Sequence, residues 1–196
     1  MRHNLILEIY KKNQTVFTTK DFCLFFPKVP YYRLKRKLSY YVKTGKISRL
    51  RRGIYAKENF DVLELANKIY APSYISLETI LRKEGVVFQE SSVISVVSYL
   101  TREVSCGGVK ICYRKIKNEI LINKRGITTK NNYSLASKER AFLDAVFLYK
   151  NYHFDNLAAL NWEMVFDLVG IYQSKILHKR VNDYYQIFQR KNVRQK

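Results

Sequence analysis

Polar and apolar residues alternate with clear periods in the first sixty positions of the chain. Apolar residues spaced as on one side of a helix predict a short amphipathic helix over residues 3–12. Residues 15–18 are prone to form a strand, and Thr19 can cap a second helix over residues 20–25. The segment is therefore predicted to begin with a helix, a brief strand and a helix.

A third helix is predicted over residues 31–43. Leu34, Leu38 and Tyr41 recur at the spacing of one helix face and should face the core. At about 100° per residue, the opposite face should be exposed. That face carries Tyr32, Arg33, Arg36, Ser39, Tyr40 and Lys43.

A β-hairpin is predicted directly after this helix. Short alternating segments at residues 46–50 and 54–57 flank a turn at Arg51, Arg52 and Gly53. Helix, strand, helix, basic helix and basic hairpin is the order of a winged helix-turn-helix. In that fold the third helix enters the major groove of DNA. Arg51 and Arg52 would then lie at the tip of the hairpin, and Arg49 on its first strand.

The pattern changes after residue 60, and the remainder is predicted to form a second, mixed α/β domain over residues 61–196. Helices are predicted at the start of this part, at 76–83 with Ser76 as cap, at 137–149 with Ser137 as cap, and at 162–190. Strands are predicted at 93–100, in a hairpin around residues 107–108, at 121–122 and at 126–129. The expected fold class is α+β, with the winged helix-turn-helix occupying residues 1–60.

Positive charge is concentrated in the first part. The chain has 36 Lys and Arg against 16 Asp and Glu, for a formal net charge of +20. Residues 1–60 hold 15 basic and three acidic residues, and residues 28–57 hold eleven basic residues and no acidic one. A field of this sign attracts nucleic acid, acidic partners or anionic membrane surfaces.

Two simpler explanations could account for the positive charge of this segment. Codon bias in an AT-rich genome raises Lys throughout a protein, but it should not remove every acidic residue from one segment only. A charged run can also be an ordinary solvated face. The cluster falls on the segment that reads as a DNA-binding motif, which favours a nucleic-acid surface.

Composition narrows the class of protein. With 47% hydrophobic residues the chain can bury a core. No apolar run approaches the roughly 20 residues of a membrane span, and no signal peptide is visible. Cys23, Cys106 and Cys112 are scattered and odd in number, which indicates reduced thiols. The protein is therefore expected to be cytoplasmic, with no membrane partner.

Three segments together resemble the AbiEi antitoxin family. They are residues 50–55 (LRRGIY), 74–81 (YISLETIL) and 136–144 (ASKERAFLD). Their order and spacing span most of the chain, and residues after about 150 carry no motif of that family.

The resemblance implies a two-domain antitoxin of an abortive-infection toxin–antitoxin pair. In such proteins the N-terminal winged helix represses the operon's own promoter, at inverted repeats in double-stranded DNA. The C-terminal domain supplies the antitoxin activity against a nucleotidyltransferase-like toxin, with direct contact left open. Dimer formation on the DNA and a solitary regulator of the same build are also left open.

The antitoxin-domain motif comprises Ser76, Glu139, Arg140 and Asp144. Glu139 suits the positive end of a helix dipole. Arg140 and Asp144 are separated by four positions and can pair on the helix surface. Because pairing at this spacing is common, the two residues are as well explained as fold determinants as by a functional site.

No catalytic constellation is recognised, so the protein is expected not to be an enzyme and to need no metal or cofactor. His3, His153 and His178 are isolated from Cys and acidic residues at metal-ligand spacing. Phosphate-binding glycine loops and nucleophile elbows are also missing from the sequence. The alternative hypothesis is a metal-dependent nuclease with a winged-helix targeting domain, because scattered carboxylates such as Glu103 and Glu119 can meet in a fold.

Overall fold

A computed structural model describes residues 5–193 of the chain, and it shows a mixed α and β fold. The predicted class of secondary structure is therefore confirmed. The part of the predicted first helix at residues 3 and 4 lies outside the described residues.

The first part folds as three helices and a small sheet. Its elements are α1 (Leu5–Lys11), β1 (Val16–Thr18), α2 (Thr19–Phe25), α3 (Tyr31–Lys43), β2 (Ser48–Arg51) and β3 (Ile54–Ala56). The three strands pair antiparallel in the order β1-β3-β2. Leu34 and Leu38 of α3 are buried against Phe22 and Phe17 in one hydrophobic core. The apolar side of α3 therefore faces the core, as its amphipathic pattern predicts.

The cap of α2 differs from the prediction by one residue. Thr18, not Thr19, is the N-cap, and its hydroxyl accepts from the Asp21 N–H at 3.2 Å. The Asp21 carboxylate accepts in return from the Thr18 N–H at 2.8 Å, which completes a capping box. Thr19 instead donates its N–H to the Gly53 carbonyl at 2.9 Å. The tertiary contact with the hairpin decides which threonine serves as the cap.

The second part contains a six-stranded sheet and six helices among the described residues. Its strands are β4 (Ser73–Ile75), β5 (Ile94–Ser98), β6 (Arg102–Cys106), β7 (Val109–Lys115), β8 (Ile127–Lys130) and β9 (Tyr133–Ala136). Its helices are α4 (Val62–Ile69), α5 (Glu78–Lys83), α6 (Asn118–Ile122), α7 (Lys138–Leu148), α8 (Trp162–Val169) and α9 (Lys175–Val193).

The strand order of this sheet is β6-β7-β5-β4-β9-β8. The pairs β5–β7 and β4–β9 are parallel, and the other three pairs are antiparallel. Tyr113 of β7 donates to a carbonyl of α4, whereas its neighbours Cys112 and Arg114 line a pocket with Tyr149, which follows α7. Because successive strand residues point to opposite faces, α4 and the end of α7 lie on opposite sides of the sheet.

Three predictions for the second part are wrong. Residues 121–122 belong to helix α6 rather than to a strand. Ser76 does not cap α5, because Leu77 is the N-cap residue and the Ser76 hydroxyl points to Asp144. The predicted single helix at 162–190 is divided into α8 and α9 by a 3₁₀ turn at Gly170–Tyr172.

The small sheet of the first part contributes side chains to two hydrophobic cores. Phe17 and Tyr55 face the core formed with α3, whereas Val16, Ile54 and Ala56 join the core formed with α4 and the large sheet. The carboxylate of Glu64, on α4, is buried and accepts from the N–H and the hydroxyl of Thr15 at 2.8 and 2.6 Å. The position of α3 and the hairpin is therefore tied to the second part of the chain. The predicted domain boundary at residue 60 stays a prediction.

None of the helices within residues 5–193 combines the length and the apolar character that crossing a membrane requires.

Candidate functional site

The predicted outer face of α3 is exposed. Every one of its members is solvent-accessible: Tyr32, Arg33, Arg36, Ser39, Tyr40 and Lys43. Tyr32 and Tyr40 are 58% and 57% exposed, although large aromatic side chains are usually at least half buried. Two exposed tyrosines among cations can stack on bases or donate to phosphates.

Tyr32 and Arg33 form a pair on this face. The Arg33 Nε–H donates to the Tyr32 hydroxyl at 3.0 Å, and the guanidinium lies 5.7 Å from the centre of the ring. The contact orders two long side chains at the N-terminal end of α3. Arg33 therefore keeps only part of its donors available for a partner.

The hairpin is short and anchored at its tip. Arg52 and Gly53 form the turn. Gly53 has φ = +79°, a backbone conformation that residues other than glycine rarely adopt. The Gly53 carbonyl accepts from Thr19 at the start of α2. Arg49, Arg51 and Arg52 are exposed, as expected of residues that contact a partner.

A depression of about 240 Å³ joins α3 to the hairpin. Tyr31 and Lys35 line it from α3, and Arg49 and Arg52 line it from the hairpin. Three cations thus surround one hollow that can receive a phosphate. Tyr31 and Lys35 are not among the predicted site residues, because helical periodicity does not tell which flank of α3 the hairpin covers.

Arg51 lies at a different place from the predicted tip. It is the last residue of β2, and its guanidinium lies 5.7 Å from the ring centre of Tyr70. The Tyr70 hydroxyl accepts from Arg102 at 3.3 Å. Hydrogen bonds from Arg102 and Arg51 lower the pKa of Tyr70. The tip prediction is right for Arg52 and wrong for Arg51, which sits at the junction between the two parts of the chain.

The second predicted site, around Arg140 and Asp144, is in the interior. Both side chains are 0% exposed, and Arg140 Nε lies 3.5 Å from Asp144 Oδ1. The prediction that they pair on the helix surface is therefore wrong. The other guanidinium nitrogens donate to the carbonyls of Arg125 and Ile120 at 2.9 and 2.7 Å. These bonds hold α7 against α6 and against the chain before β8.

Asp144 receives three hydroxyl groups in addition to the guanidinium. Tyr74 and Tyr172 donate to Oδ1 at 3.1 and 2.6 Å, and Ser76 donates to Oδ2 at 2.8 Å. Burial raises the pKa of Asp144, and Arg140 with the three hydroxyl donors opposes that rise. A buried ion pair needs such additional hydrogen bonds to offset its desolvation. The two tyrosines were missed because nothing in the sequence links positions 74 and 172 to position 144.

Glu139 does not belong to this cluster. It is buried at 3% exposure and accepts from the Asn161 N–H at 3.2 Å, ahead of α8. Ser137 caps α7 as predicted, since its hydroxyl accepts from the Arg140 N–H at 3.1 Å. Three motif residues, Ser76, Arg140 and Asp144, thus meet in one network, and Glu139 holds a separate contact.

The scattered carboxylates considered for a metal stay apart. Glu103 and Glu119 line different depressions of the second part. Among the described residues, no three His, Cys, Asp or Glu side chains come close enough together to hold a metal ion. Cys23, Cys106 and Cys112 are free thiols.

Comparison with known proteins does not assign the chain to a family. No protein-family model matches the chain, and no curated protein matches it by sequence. The resemblance to AbiEi antitoxins therefore stays a prediction from the three short segments.

Proposed function

We propose that the protein is a DNA-binding transcriptional repressor that reads DNA with a winged helix-turn-helix over residues 1–60. The observation that carries this is the junction of α3 and the hairpin, where Lys35, Arg49 and Arg52 surround one hollow beside an exposed tyrosine-rich face. The element order α1-β1-α2-α3-β2-β3, with β1 pairing onto the hairpin, supports the same assignment.

In this proposal α3 enters the major groove and the hairpin follows the phosphate backbone. Arg36 projects from the centre of the exposed face and is suited to pair with guanine by two hydrogen bonds. Arg49, Arg52 and Lys35 supply sequence-independent contacts. The bound sites are inverted repeats in the protein's own promoter, as the three segments that resemble AbiEi antitoxins imply.

We further propose that residues 61–196 form a mixed α/β domain that neutralises a nucleotidyltransferase-like toxin. Only the resemblance supports this part. Ser76, Arg140 and Asp144 are fully buried, so any contribution they make to that activity acts through the fold rather than by touching a partner.

A salt titration tests DNA binding. If about six Lys and Arg side chains contact phosphates, log K should fall with log salt at a slope near −5. The site should first be selected from random duplexes and then measured by fluorescence anisotropy. An affinity that does not change between low and moderate salt contradicts a phosphate-contacting surface.

Separate assays test the division between repression and neutralisation. The double variant Arg49→Ala, Arg52→Ala should lose repression of a promoter reporter and still rescue cells from the toxin. A Lys179→Ala, Arg190→Ala variant removes the same charge from exposed positions of α9 and serves as the matched control. Loss of both activities in the folded hairpin variant contradicts the division.

The nuclease alternative is tested on the same duplexes. Purified protein is incubated with DNA and with Mg²⁺ or Mn²⁺, and the products are separated on a denaturing gel. Metal-dependent cleavage would replace the repressor proposal with the nuclease.

A further inference from the structure

A second polar pocket lies on the far side of the large sheet, away from α3 and the hairpin. Its volume is about 280 Å³, just below the roughly 300–1,000 Å³ of sites for drug-sized ligands. Strands β6 and β7 contribute Glu103, Lys110 and Arg114, and α5 contributes Glu78 and Arg82. None of the residues predicted to contact DNA lines it.

An aromatic wall closes one side of this pocket. Tyr149 and Tyr152 follow α7, and their rings stack with centres 5.5 Å apart and planes 20° apart. The Tyr149 phenol interacts electrostatically with both Arg114 and Glu78. Burial raises the pKa of Tyr149 and of Tyr152, so both phenols are neutral near pH 7. The wall is thus a neutral stacked pair held between a guanidinium and a carboxylate.

Among the cations of the pocket, Lys110 is held in an ion pair, whereas Arg82 and Arg114 have hydrogen-bond donors to spare. Lys110 is paired with Glu103, whose carboxylate lies 2.9 Å from its ammonium. Arg82 donates one N–H to the Val93 carbonyl at 3.1 Å. A guanidinium has five N–H donors, so Arg82 and Arg114 each retain donors for an anion. Glu78 and Glu103 are acceptors for N–H or O–H groups of the same ligand.

The backbone at the edge of the pocket is strained. Leu77, fully buried, has φ = 54° and ψ = −139°, a conformation that residues other than glycine rarely adopt. This residue turns the chain from β4 directly into α5. Ser76 thereby faces Asp144 in the interior, whereas Glu78, two residues on, lines the pocket. Strain of this kind concentrates at sites that bind ligands.

We propose that this pocket binds a nucleoside monophosphate. Arg82 and Arg114 hold the phosphate, because a guanidinium matches phosphate oxygens with two parallel hydrogen bonds. The base stacks on the tyrosine pair. Glu78 and Glu103 accept from the ribose hydroxyls or an exocyclic amine. The pocket is separate from the proposed DNA surface.

Isothermal titration calorimetry of the full chain tests the assignment. AMP, GMP, CMP and UMP are each titrated, alongside the corresponding nucleosides and inorganic phosphate. At least one monophosphate should bind at least tenfold more tightly than its nucleoside and than phosphate, since only it makes both sets of contacts. A tenfold difference in affinity corresponds to about 1.4 kcal/mol.

Variants locate the binding. Arg82→Gln and Arg114→Gln should each weaken binding at least tenfold without lowering the melting temperature by more than a few degrees. Lys179→Gln removes the same charge from an exposed position of α9 and should leave binding unchanged. The proposal is overturned if no monophosphate binds, if phosphate alone binds as tightly, or if both arginine variants bind like the control. These readouts involve no duplex DNA, so they stand independently of the repressor proposal.

Discussion

At the residue scale, the specificity of the proposed DNA surface depends on Arg36. Its position opposite the buried Leu34 and Leu38 directs its guanidinium away from the core of the first part. An arginine paired with guanine by two hydrogen bonds discriminates against other bases by about 1–3 kcal/mol.

We expect Arg36→Ala to relax base preference at one position of the selected site, with a loss of about 1–3 kcal/mol on the preferred sequence. Lys37→Ala, at a neighbouring exposed position of α3, removes the same charge from a different side of the helix. This control should leave the base preference unchanged. Retention of full base preference by the Arg36 variant in an anisotropy competition assay would show that the face is wrongly assigned.

The cost of removing one partner of an ion pair depends on whether the pair is buried or exposed, and the chain has a pair of each kind. Asp144 is fully buried beside Arg140, whereas Asp167 pairs with Arg125 at 2.7 Å with both side chains more than half exposed. Removal of one partner from a buried pair leaves an uncompensated charge, but removal from an exposed pair leaves a hydrated one.

We expect Asp144→Ala to lower the free energy of unfolding by about 3–5 kcal/mol. Asp167→Ala should change it by less than about 1 kcal/mol. Chemical denaturation followed by circular dichroism measures both. Equal losses in the two variants would mean that the network around Arg140 adds no stability beyond that of a surface pair.

At the element scale, Asp21 links two helices. It completes the capping box of α2 and also lies 3.0 Å from the Lys68 ammonium on α4. Burial alone would raise its pKa, but the Thr18 N–H and Lys68 outweigh burial, and the pKa lies below its ordinary value.

A lowered pKa in the folded state stabilises the protein above the pKa of the unfolded chain. That stability is lost as the pH falls through the ordinary carboxyl range toward the lower folded pKa. We expect Asp21→Asn to cost about 0.5–2 kcal/mol at pH 7, the range for loss of a helix cap. The difference between wild type and variant should shrink as the pH falls below about 4. A difference that stays constant from pH 7 to pH 3 in urea denaturation would exclude a charged role for Asp21.

The elements themselves follow from the sequence where a helical pattern is long or where a glycine turn joins two strands. Helices α3 and α7, and strands β2, β3, β6 and β7, appear close to where periodicity and glycine turns predict them. The helix α6 and the strands β4 and β9 were missed. Each of these three has five residues or fewer, so its pattern is too short to separate strand from helix.

At the scale of the whole molecule, the junction between the two parts determines where α3 and the hairpin are held. Glu64 is buried, and its Oε2 accepts twice from Thr15. Its Oε1 has no hydrogen-bond partner among the described residues. Loss of Glu64 would leave the Thr15 N–H without its acceptor in a buried setting, which costs about 1–3 kcal/mol.

We expect Glu64→Ala to lower the free energy of unfolding by at least about 1 kcal/mol. It should also weaken DNA binding, because the hairpin and α3 lose part of their support. Glu58→Ala, at an exposed position just before α4, is the matched control. Unchanged stability and affinity in the Glu64 variant would mean that the first part holds its position without this contact.

The sequence alone determined the outer face of α3, the hairpin and the capping of α7, since these depend on local periodicity and turn chemistry. It also determined the segregation of charge, because an acid-free segment is visible without a fold. Tertiary structure decided the rest, since the contacts involved join residues far apart in the chain. The hydroxyls of Tyr74 and Tyr172 meet the Asp144 carboxylate across 70 and 28 positions. Lys35 joins the candidate interface only because the hairpin folds onto that flank of α3.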